Sequence, residues 1–496
     1  MLRFPAVARP DLVAGPVFKT GGTCGDARSV GSIPMRYRHR IGRPQQPRVA
    51  PGRGAAAVLV PPGPTRRCVI TSALVSDPTF SFPPPTASTL GDHDVSAEGT
   101  HLAGRRVALL VTGGIAAMKA PFVARALRRQ GASVVAFTSA EALRYVTAEA
   151  LEWSTVNPVI TKLTAAAEHL SDAAPFDAYL VAPATYNSIN KIALGIADGP
   201  VTSAAAAALG RMEQGRTQVL IAPTMHGSLH NSILVESLRR LHGMGARVIP
   251  PRDDYGKHNL PDEPALVAAV CRAVSRSALR GRRILVTGGA TPAPIDSVLR
   301  IVERLHGQLG VAIAAQLHLR GAEVLLVQGD GAQPVPEFIP HRIARTYDEY
   351  RSIVREEAGR GFAAGVFSAS VSSYRPEHAV EGKIPSGRPA LDLRLLPTAK
   401  VIDEVRAAQP RLYMIAFKYQ GSMTHDQLLA IARLRLDRFD CVVANRGEEQ
   451  SATDDRAWLL TRGAEPSPLD GRSAIAAGIA DHLERALPAA PVSTPG

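Results

Sequence analysis

Two stretches of this chain place glycine-rich or small polar turns where a phosphate can sit. VALLVTGGIAAMKA (Val107–Ala120) is an apolar run of mostly β-forming residues that ends in a glycine pair and passes at once into a helical pattern. AYLVAPATYNSINK (Ala178–Lys191) again drives an apolar strand into a small polar turn and a helix. A strand that empties into a helix leaves unpaired backbone N–H groups, and the positive end of the helix dipole, aimed at whatever lies beyond. The chemistry expected there is capture of a phosphorylated cofactor. The first turn offers Gly113, Gly114, Ile115 and Ala116, whose glycine pair allows close backbone approach. The strand ending FTSAEA (Phe137–Ala142) sets the Thr138 and Ser139 hydroxyls beside it, and the third turn supplies Ala182, Pro183, Ala184, Thr185 and Asn187. The spacing is neither GxGxxG nor the GK[ST] of a P-loop. Each turn alone also occurs as plain scaffold in α/β proteins; their succession in one domain is what singles them out.

The elements that must position these turns alternate. Strand-like runs at Val107–Thr112, Ser133–Phe137, Ala178–Val181, Thr217–Ala222 and Arg247–Ile249 are separated by helical stretches such as Ala116–Arg129, Ser188–Leu194 and Ile233–Leu241. A helix ending near Leu279 closes this unit, and RRILVTGGATPAPID (Arg282–Asp296) opens a second with strand, glycine turn and helix. Strands at Glu323–Val327, Gly365–Ser368, Tyr413–Ala416 and Cys441–Val443 follow. Alternating strands and helices build parallel sheets covered on both faces. The expected fold is therefore α/β: two doubly wound, Rossmann-like parallel-sheet domains at 104–280 and 281–488, after a disordered Pro/Arg-rich tail at 1–103 and before a short tail at 489–496.

Composition bounds the rest. A chain of 496 residues is too long for one ordinary domain. Its hydrophobic content of 45% suffices for buried cores, but at 5% aromatic those cores must be built from Ala, Val, Leu and Ile. The net charge of +13 suggests nucleic acid until it is located: residues 1–100 alone carry 12 Lys and Arg against 6 Asp and Glu. The remaining excess is spread thinly, without Lys-rich runs or interleaved aromatics, so nucleic acid is not an expected partner. No apolar run reaches the roughly 20 residues that cross a bilayer. Cys24, Cys68, Cys271 and Cys441 form neither a CxxC pair nor a metal spacing, which fits a reducing cytoplasm and no structural metal. PPGP (Pro61–Pro64) and PPP (Pro83–Pro85) forbid regular helix in the tail. The tail is Arg-rich and acid-poor like an organellar transit peptide, though its prolines spoil an amphipathic helix; a start codon assigned too far upstream accounts for it equally well.

GGIAAMKAP, a Thr-Ser strand end and APATYNSINKIALGIAD together resemble the FMN-binding cysteine decarboxylases. That family includes decarboxylases of lantibiotic peptides and the bifunctional phosphopantothenoylcysteine decarboxylase/phosphopantothenate–cysteine ligases of coenzyme A synthesis. The resemblance implies a catalytic histidine fourteen residues before the motif proline; His169 stands at that distance from Pro183, and Asp177 falls where the family commonly has Asp. It implies that flavin accepts a hydride from the Cβ of a cysteine while a base takes the thiol proton, giving a thiocarbonyl acid that loses carbon dioxide. A histidine titrating near neutrality suits that proton transfer. It further implies a flavin site formed between subunits, hence a homo-oligomer built on trimers. Two departures stand out. The family's PxMNxxMW appears as PTMHGSLH (Pro223–His230), so the substrate-binding asparagine is His226, and the clamp region Asp253–Pro261 carries no cysteine.

The second half resembles the ligase domain of the bifunctional members, which activates a carboxylate with CTP, and with it Mg2+, for attack by the cysteine amine. On this resemblance Gly288, Gly289, Ala290, Lys418 and Asn445 hold the nucleotide, and Lys383, the first lysine of the family's KxKK, is catalytic. IVERLHGQLG (Ile301–Gly310) replaces a phosphopantothenate-binding asparagine by Glu303, and the aspartate before the YRP motif is Ser373. Glu303 is expected to oppose a phosphorylated ligand. The reading is an enzyme acting on a small molecule: ligation of cysteine to 4'-phosphopantothenate with CTP, then FMN-dependent decarboxylation. A paralogous FMN-dependent thiol oxidoreductase or decarboxylase with another substrate, and a non-catalytic flavin-binding module, stay open.

Overall fold

The structure is a computed structural model that describes residues 82–170, 173–387, 389–449 and 455–487. The first domain runs β1 (Arg106–Val111), α1 (Ala120–Arg129), β2 (Ser133–Thr138), α2 (Ala148–Thr155), β3 (Ala178–Ala184), α3 (Tyr186–Ala193), α4 (Pro200–Glu213) and β4 (Gln218–Pro223). It continues with β5 (Met225–His226), α5 (Ser232–Gly243), β6 (Arg247–Val248), β7 (Arg252–Asp254), β8 (Lys257–Asn259) and α6 (Glu263–Val274). The main sheet has the order β2-β1-β3-β4-β6, all neighbours parallel. Strand order reverses between β1 and β3, so the crevice beyond their carboxyl ends is where such a sheet binds a ligand. β5, β8 and β7 form a small antiparallel sheet beside that edge.

β1 and β3 are buried on both faces, as strands of a covered parallel sheet must be. One face packs Leu109, Val111 and Leu180 on α1 and α6; the other packs Leu110, Tyr179 and Val181 on α3 and α4. Alanines at positions 204, 205 and 208 let α4 lie close on the sheet, which is how a chain poor in aromatics fills its core.

The second domain runs β9 (Arg283–Gly288), β10 (Ala293–Pro294), β11 (Arg300–Ile301), α7 (Gln308–Leu319), β12 (Glu323–Gly329), β13 (His341–Ala344), α8 (Tyr347–Ala358) and β14 (Ala364–Phe367). There follow β15 (Tyr374–Pro376), β16 (Leu395–Pro397), α9 (Val401–Ala408), β17 (Tyr413–Gln420), α10 (His425–Arg435), β18 (Cys441–Arg446), β19 (Arg456–Thr461), β20 (Ser467–Asp470) and α11 (Arg472–Ala486). Its eight-stranded sheet has the order β13-β12-β9-β14-β17-β18-β19-β20 and reverses between β9 and β14.

Four sequence expectations are corrected. The second sheet is not wholly parallel: β19 and β20 extend it antiparallel, because the short link from β18 cannot hold a crossover helix. The glycine turn after β9 does not feed a helix. Pro292 and Pro294 cannot donate to a helical ladder, and the chain makes the β10–β11 excursion before α7 starts at Gln308. The helix expected to end near Leu279 stops at Val274, where the Ser275 hydroxyl donates to the Arg320 carbonyl (2.7 Å) and accepts the Ser277 N–H (3.2 Å). The tail expected at 1–103 ends too late: the Leu102 N–H donates to the Gln130 carbonyl (2.8 Å), the Glu98 N–H to that of Arg129 (2.9 Å), and the Leu102 side chain is fully buried beside α1. Residues 1–81, most of that tail, and the expected tail 489–496 lie outside the described residues.

The two domains meet where α6 approaches α7. The Arg272 guanidinium reaches the carbonyls of Ala322 and His318 at the end of α7, a favourable place for a cation. Among the described residues, no helix is long and apolar enough to cross a membrane. Cys271 and Cys441 are free and buried, and burial pushes both thiols up to about 12.

Candidate functional site

The first-domain turns converge through a residue that sequence reasoning passed over. Thr112, buried at the end of β1, donates through its hydroxyl to the Pro183 carbonyl (2.7 Å). The same oxygen accepts the Thr185 N–H (3.1 Å) and lies 3.0 Å from the Thr185 hydroxyl. One side chain thus latches the β1 turn to the β3 turn across the strand-order reversal. Its signal in the sequence is its place directly before the glycine pair.

Above that latch opens a cavity of about 710 Å³, lined by Gly113, Gly114, Ile115, Ala116, Pro183, Thr185, Asn187 and His226 among others. That size lies within the range of small-molecule and cofactor sites, roughly 300–1,000 Å³. Gly114 precedes a short 3-10 turn (Ile115–Lys119), so α1 proper begins later than the sequence pattern implied. A Cβ at Gly114 would stand 3.1 Å from the Thr185 methyl, and one at Gly113 would meet Glu141. Glycine keeps this edge of the cradle open. Thr185 begins α3 without a side-chain cap, leaving first-turn N–H groups for an anion at the cavity wall. Ile115 and Met118 line the same cavity while 70% and 56% exposed. Free N–H groups at a helix start beside exposed apolar side chains fit a phosphorylated flavin, which these residues would hold.

Ala182 and Ala184 are buried below Pro183 rather than in the cavity wall. Thr138 and Ser139 also do not line it. Thr138 is buried with no partner for its hydroxyl among the described residues, and Ser139 caps a local turn by accepting the Ala142 N–H (3.3 Å). His169 stands apart as well: it is half-buried outside this cavity, its Nδ1 shielded and without a partner among the described residues. Asp177 is structural, holding Arg105 (2.7 Å) and the Arg106 N–H (2.9 Å).

The clamp is the β7–β8 hairpin, and it contributes Arg252, Lys257, His258 and Asn259 to the cavity. The resemblance located the segment at Asp253–Pro261 but singled out none of these four side chains. His226 begins a short turn in which the Ser228 N–H donates to its Nδ1 (3.1 Å). An Nδ1 that accepts leaves the proton on Nε2, so the imidazole can replace an asparagine amide as a donor. Behind it, Asp253, His258 and His230 form a hydrogen-bonded chain, 2.5 Å from Asp253 Oδ1 to His258 Nδ1 and 2.8 Å from His258 Nε2 to His230 Nδ1.

The second domain carries two cavities at its own strand-order reversal. The smaller, about 310 Å³, is lined by Gly289, Gly307, Gly310, Ser368 and Asn445. Gly307 has φ +75°, and a Cβ there would lie 2.7 Å from Gly289 backbone atoms; a Cβ at Gly310 would lie 2.8 Å from the Gly288 Cα. The paired glycines seat the start of α7 against β9. Gly288 and the buried Ala290 back this wall without lining it. The larger cavity, about 690 Å³, holds Lys418, Lys400, Arg435, Arg304 and Glu303. Burial, then Arg435 and Lys400, push the Lys418 ammonium below its ordinary range. Glu303 accepts the Ser370 hydroxyl (2.8 Å), and Lys400 reaches the Ser373 hydroxyl (3.4 Å). Four basic side chains thus share this cavity with the Glu303 carboxylate, which the expectation drawn from Glu303 had considered alone. Lys383 is exposed and lines neither cavity.

Fold and site together define a two-domain α/β flavoprotein. Residues 95–275 match the Flavoprotein family, and residues 279–487 match the DNA/pantothenate metabolism flavoprotein C-terminal domain. The chain is 34% identical over 396 residues to the coenzyme A biosynthesis bifunctional protein CoaBC of Thermococcus kodakarensis, covering 78% of this chain and 96% of that protein. It is 28% identical over 368 residues to the protein of the same name from Methanocaldococcus jannaschii, covering 73% and 89%. The crystal structure of the DNA/pantothenate metabolism flavoprotein from Streptococcus pneumoniae matches 42% of this chain and all of its own, at 25% identity and a TM-score of 0.38. The chain belongs to the family of the coenzyme A biosynthesis bifunctional proteins CoaBC.

Proposed function

We propose that this chain joins cysteine to 4'-phosphopantothenate at the expense of CTP in its second domain and decarboxylates the product with FMN in its first. The observation that carries the reading is the Thr112-latched cavity, where Gly113, Gly114 and the uncapped start of α3 meet exposed apolar side chains. FMN, when bound, supplies the hydride-accepting step. The chain's own residues bind and orient. His226 presents its Nε2–H to the substrate carboxylate, with Arg252 and Lys257 on the facing hairpin.

His169 takes the thiol proton. Because it stands outside the cavity of its own chain, it serves the cleft of a neighbouring copy, and the working unit is a homo-oligomer based on trimers. In the second domain, Lys418, Lys400 and Arg435 receive the phosphates of CTP, with which Mg2+ would travel on the phosphate oxygens, while Gly289 and Asn445 meet the rest of the nucleotide. Lys383, on an exposed loop, acts at a site completed by a second copy. The domains are 104–280 and 281–488, with Leu102 packed on the first, and the reactions are cytoplasmic.

The test is carbon dioxide release from phosphopantothenoylcysteine by the purified protein, with a parallel assay of CTP-dependent cysteine ligation. Both activities are expected. Reduction of bound flavin by other thiols, without release from this substrate, would instead identify a paralogue with another substrate.

A further inference from the structure

The largest of the cavities described belongs to neither site. It measures about 790 Å³ and lies between the domains, walled by Arg247, Arg252 and Arg272 of the first and by His318 and Phe338 of the second. Its carboxylates do not balance its cations. Asp262 is engaged in capping α6, accepting the Ala265 N–H (3.0 Å), and Glu337 is exposed. Arg272 spends its guanidinium on the carbonyls of Ala322 and His318. The side chains of Arg247 and Arg252 have no hydrogen-bond or ion-pair partner among the described residues; Arg247 is half-buried and Arg252 exposed. Burial, with Arg280 and Arg272 nearby, disfavours its charge, so a half-buried guanidinium here lacks an anion to compensate it.

Much of the rest of the lining is apolar. Phe338 and His318 lie 5.4 Å apart between ring centres at 45°, and Pro250 and Pro251 face the same space. Burial, then Arg272, push His318 down to about 4, so at neutral pH it is an uncharged ring.

We infer that this interdomain cavity binds a small ligand that joins a phosphate or carboxylate to a flat apolar ring. The anion takes Arg247 and Arg252; the ring takes Phe338 and His318. Arg252 also lines the first-domain cleft, and the walls come from both domains. An occupant therefore ties the domains together and touches a residue of the cleft, so its binding is linked to theirs. This inference does not depend on the reactions proposed above.

Titration calorimetry of the full chain with phenyl phosphate, and separately with inorganic phosphate, tests it. Phenyl phosphate is expected to bind more tightly. Arg247→Gln, which touches no other cavity described here, should weaken phenyl phosphate by roughly tenfold or more, the loss of one charged hydrogen-bonding partner. Phe338→Ala should weaken phenyl phosphate and leave inorganic phosphate unchanged, and provides a second arm should Arg247→Gln fold poorly. Lys162→Gln, at an exposed residue that lines none of the cavities described, should change neither. Unaltered affinity in the Arg247 and Phe338 variants, an equal loss in Lys162→Gln, or no binding by the unmodified chain would overturn the proposal.

Discussion

Asp296 and Ile384 are joined by a 2.8 Å hydrogen bond from the Ile384 N–H to Asp296 Oδ2, which pins the Lys383 loop to the β10–β11 excursion. The other carboxylate oxygen accepts the Leu299 N–H (2.6 Å) and the Val298 N–H (2.7 Å). The N–H groups of Leu299, Ile384 and Val298, helped by the Lys383 charge, hold this carboxyl below its usual range. A carboxyl depressed in the folded state stabilises the fold fully above its unfolded value, about 3.9, and that stability is lost as pH falls through the folded value. Asp296→Asn should therefore melt earlier than the unmodified chain at pH 7, and the gap should close as pH drops below the carboxylate range. A gap constant with pH would show that the carboxylate charge is irrelevant.

Gly307→Ala should damage the nucleotide cavity more than an ordinary surface change. The left-handed backbone strains alanine by about 1–3 kcal/mol, and its methyl would press on Gly289 from 2.7 Å. Denaturant melting should show the loss, and titration with CTP should show weakened binding. Unchanged stability and affinity would remove the glycine contact from the account.

A chain starting at Gly104 should be less stable than one starting at Pro85. It loses the burial of Leu102, about 1.5–3 kcal/mol, and the backbone bonds to Arg129 and Gln130. Equal melting of the two chains would show that the segment only rests on the surface.

His169→Asn should retain flavin yet lose thiol-dependent flavin reduction by about 100-fold or more, the scale of a general base. Stopped-flow absorbance reads the rate. Loss of flavin instead would give His169 a structural role, and an unchanged rate would remove it from the mechanism.

The order of elements and the first-domain turns were legible because local signals carry them: apolar β-forming runs, glycine pairs and small residues at helix starts. What stayed hidden depends on contacts between distant segments. Thr112 reads as the tail of a strand until Pro183 and Thr185 are beside it. Glu303 reads as a repulsive charge until Lys400, Lys418 and Arg435 share its cavity. β19 and β20 carry few alternating residues, and their place is fixed by pairing of β19 with β18 and of β20 with β19. The resemblance to a family located His169 by spacing alone, and spacing does not say whose cleft a side chain serves.

The most direct measurement is the cofactor content of the purified chain, by visible absorbance and by mass of the released ligand. The account predicts a yellow protein carrying FMN, or one that takes up FMN on reconstitution, and predicts that Gly114→Val, which fills the cradle against Thr185, releases it without unfolding the sheet. A colourless protein that takes up no FMN would contradict the assignment of the Thr112-latched cavity and the function built upon it.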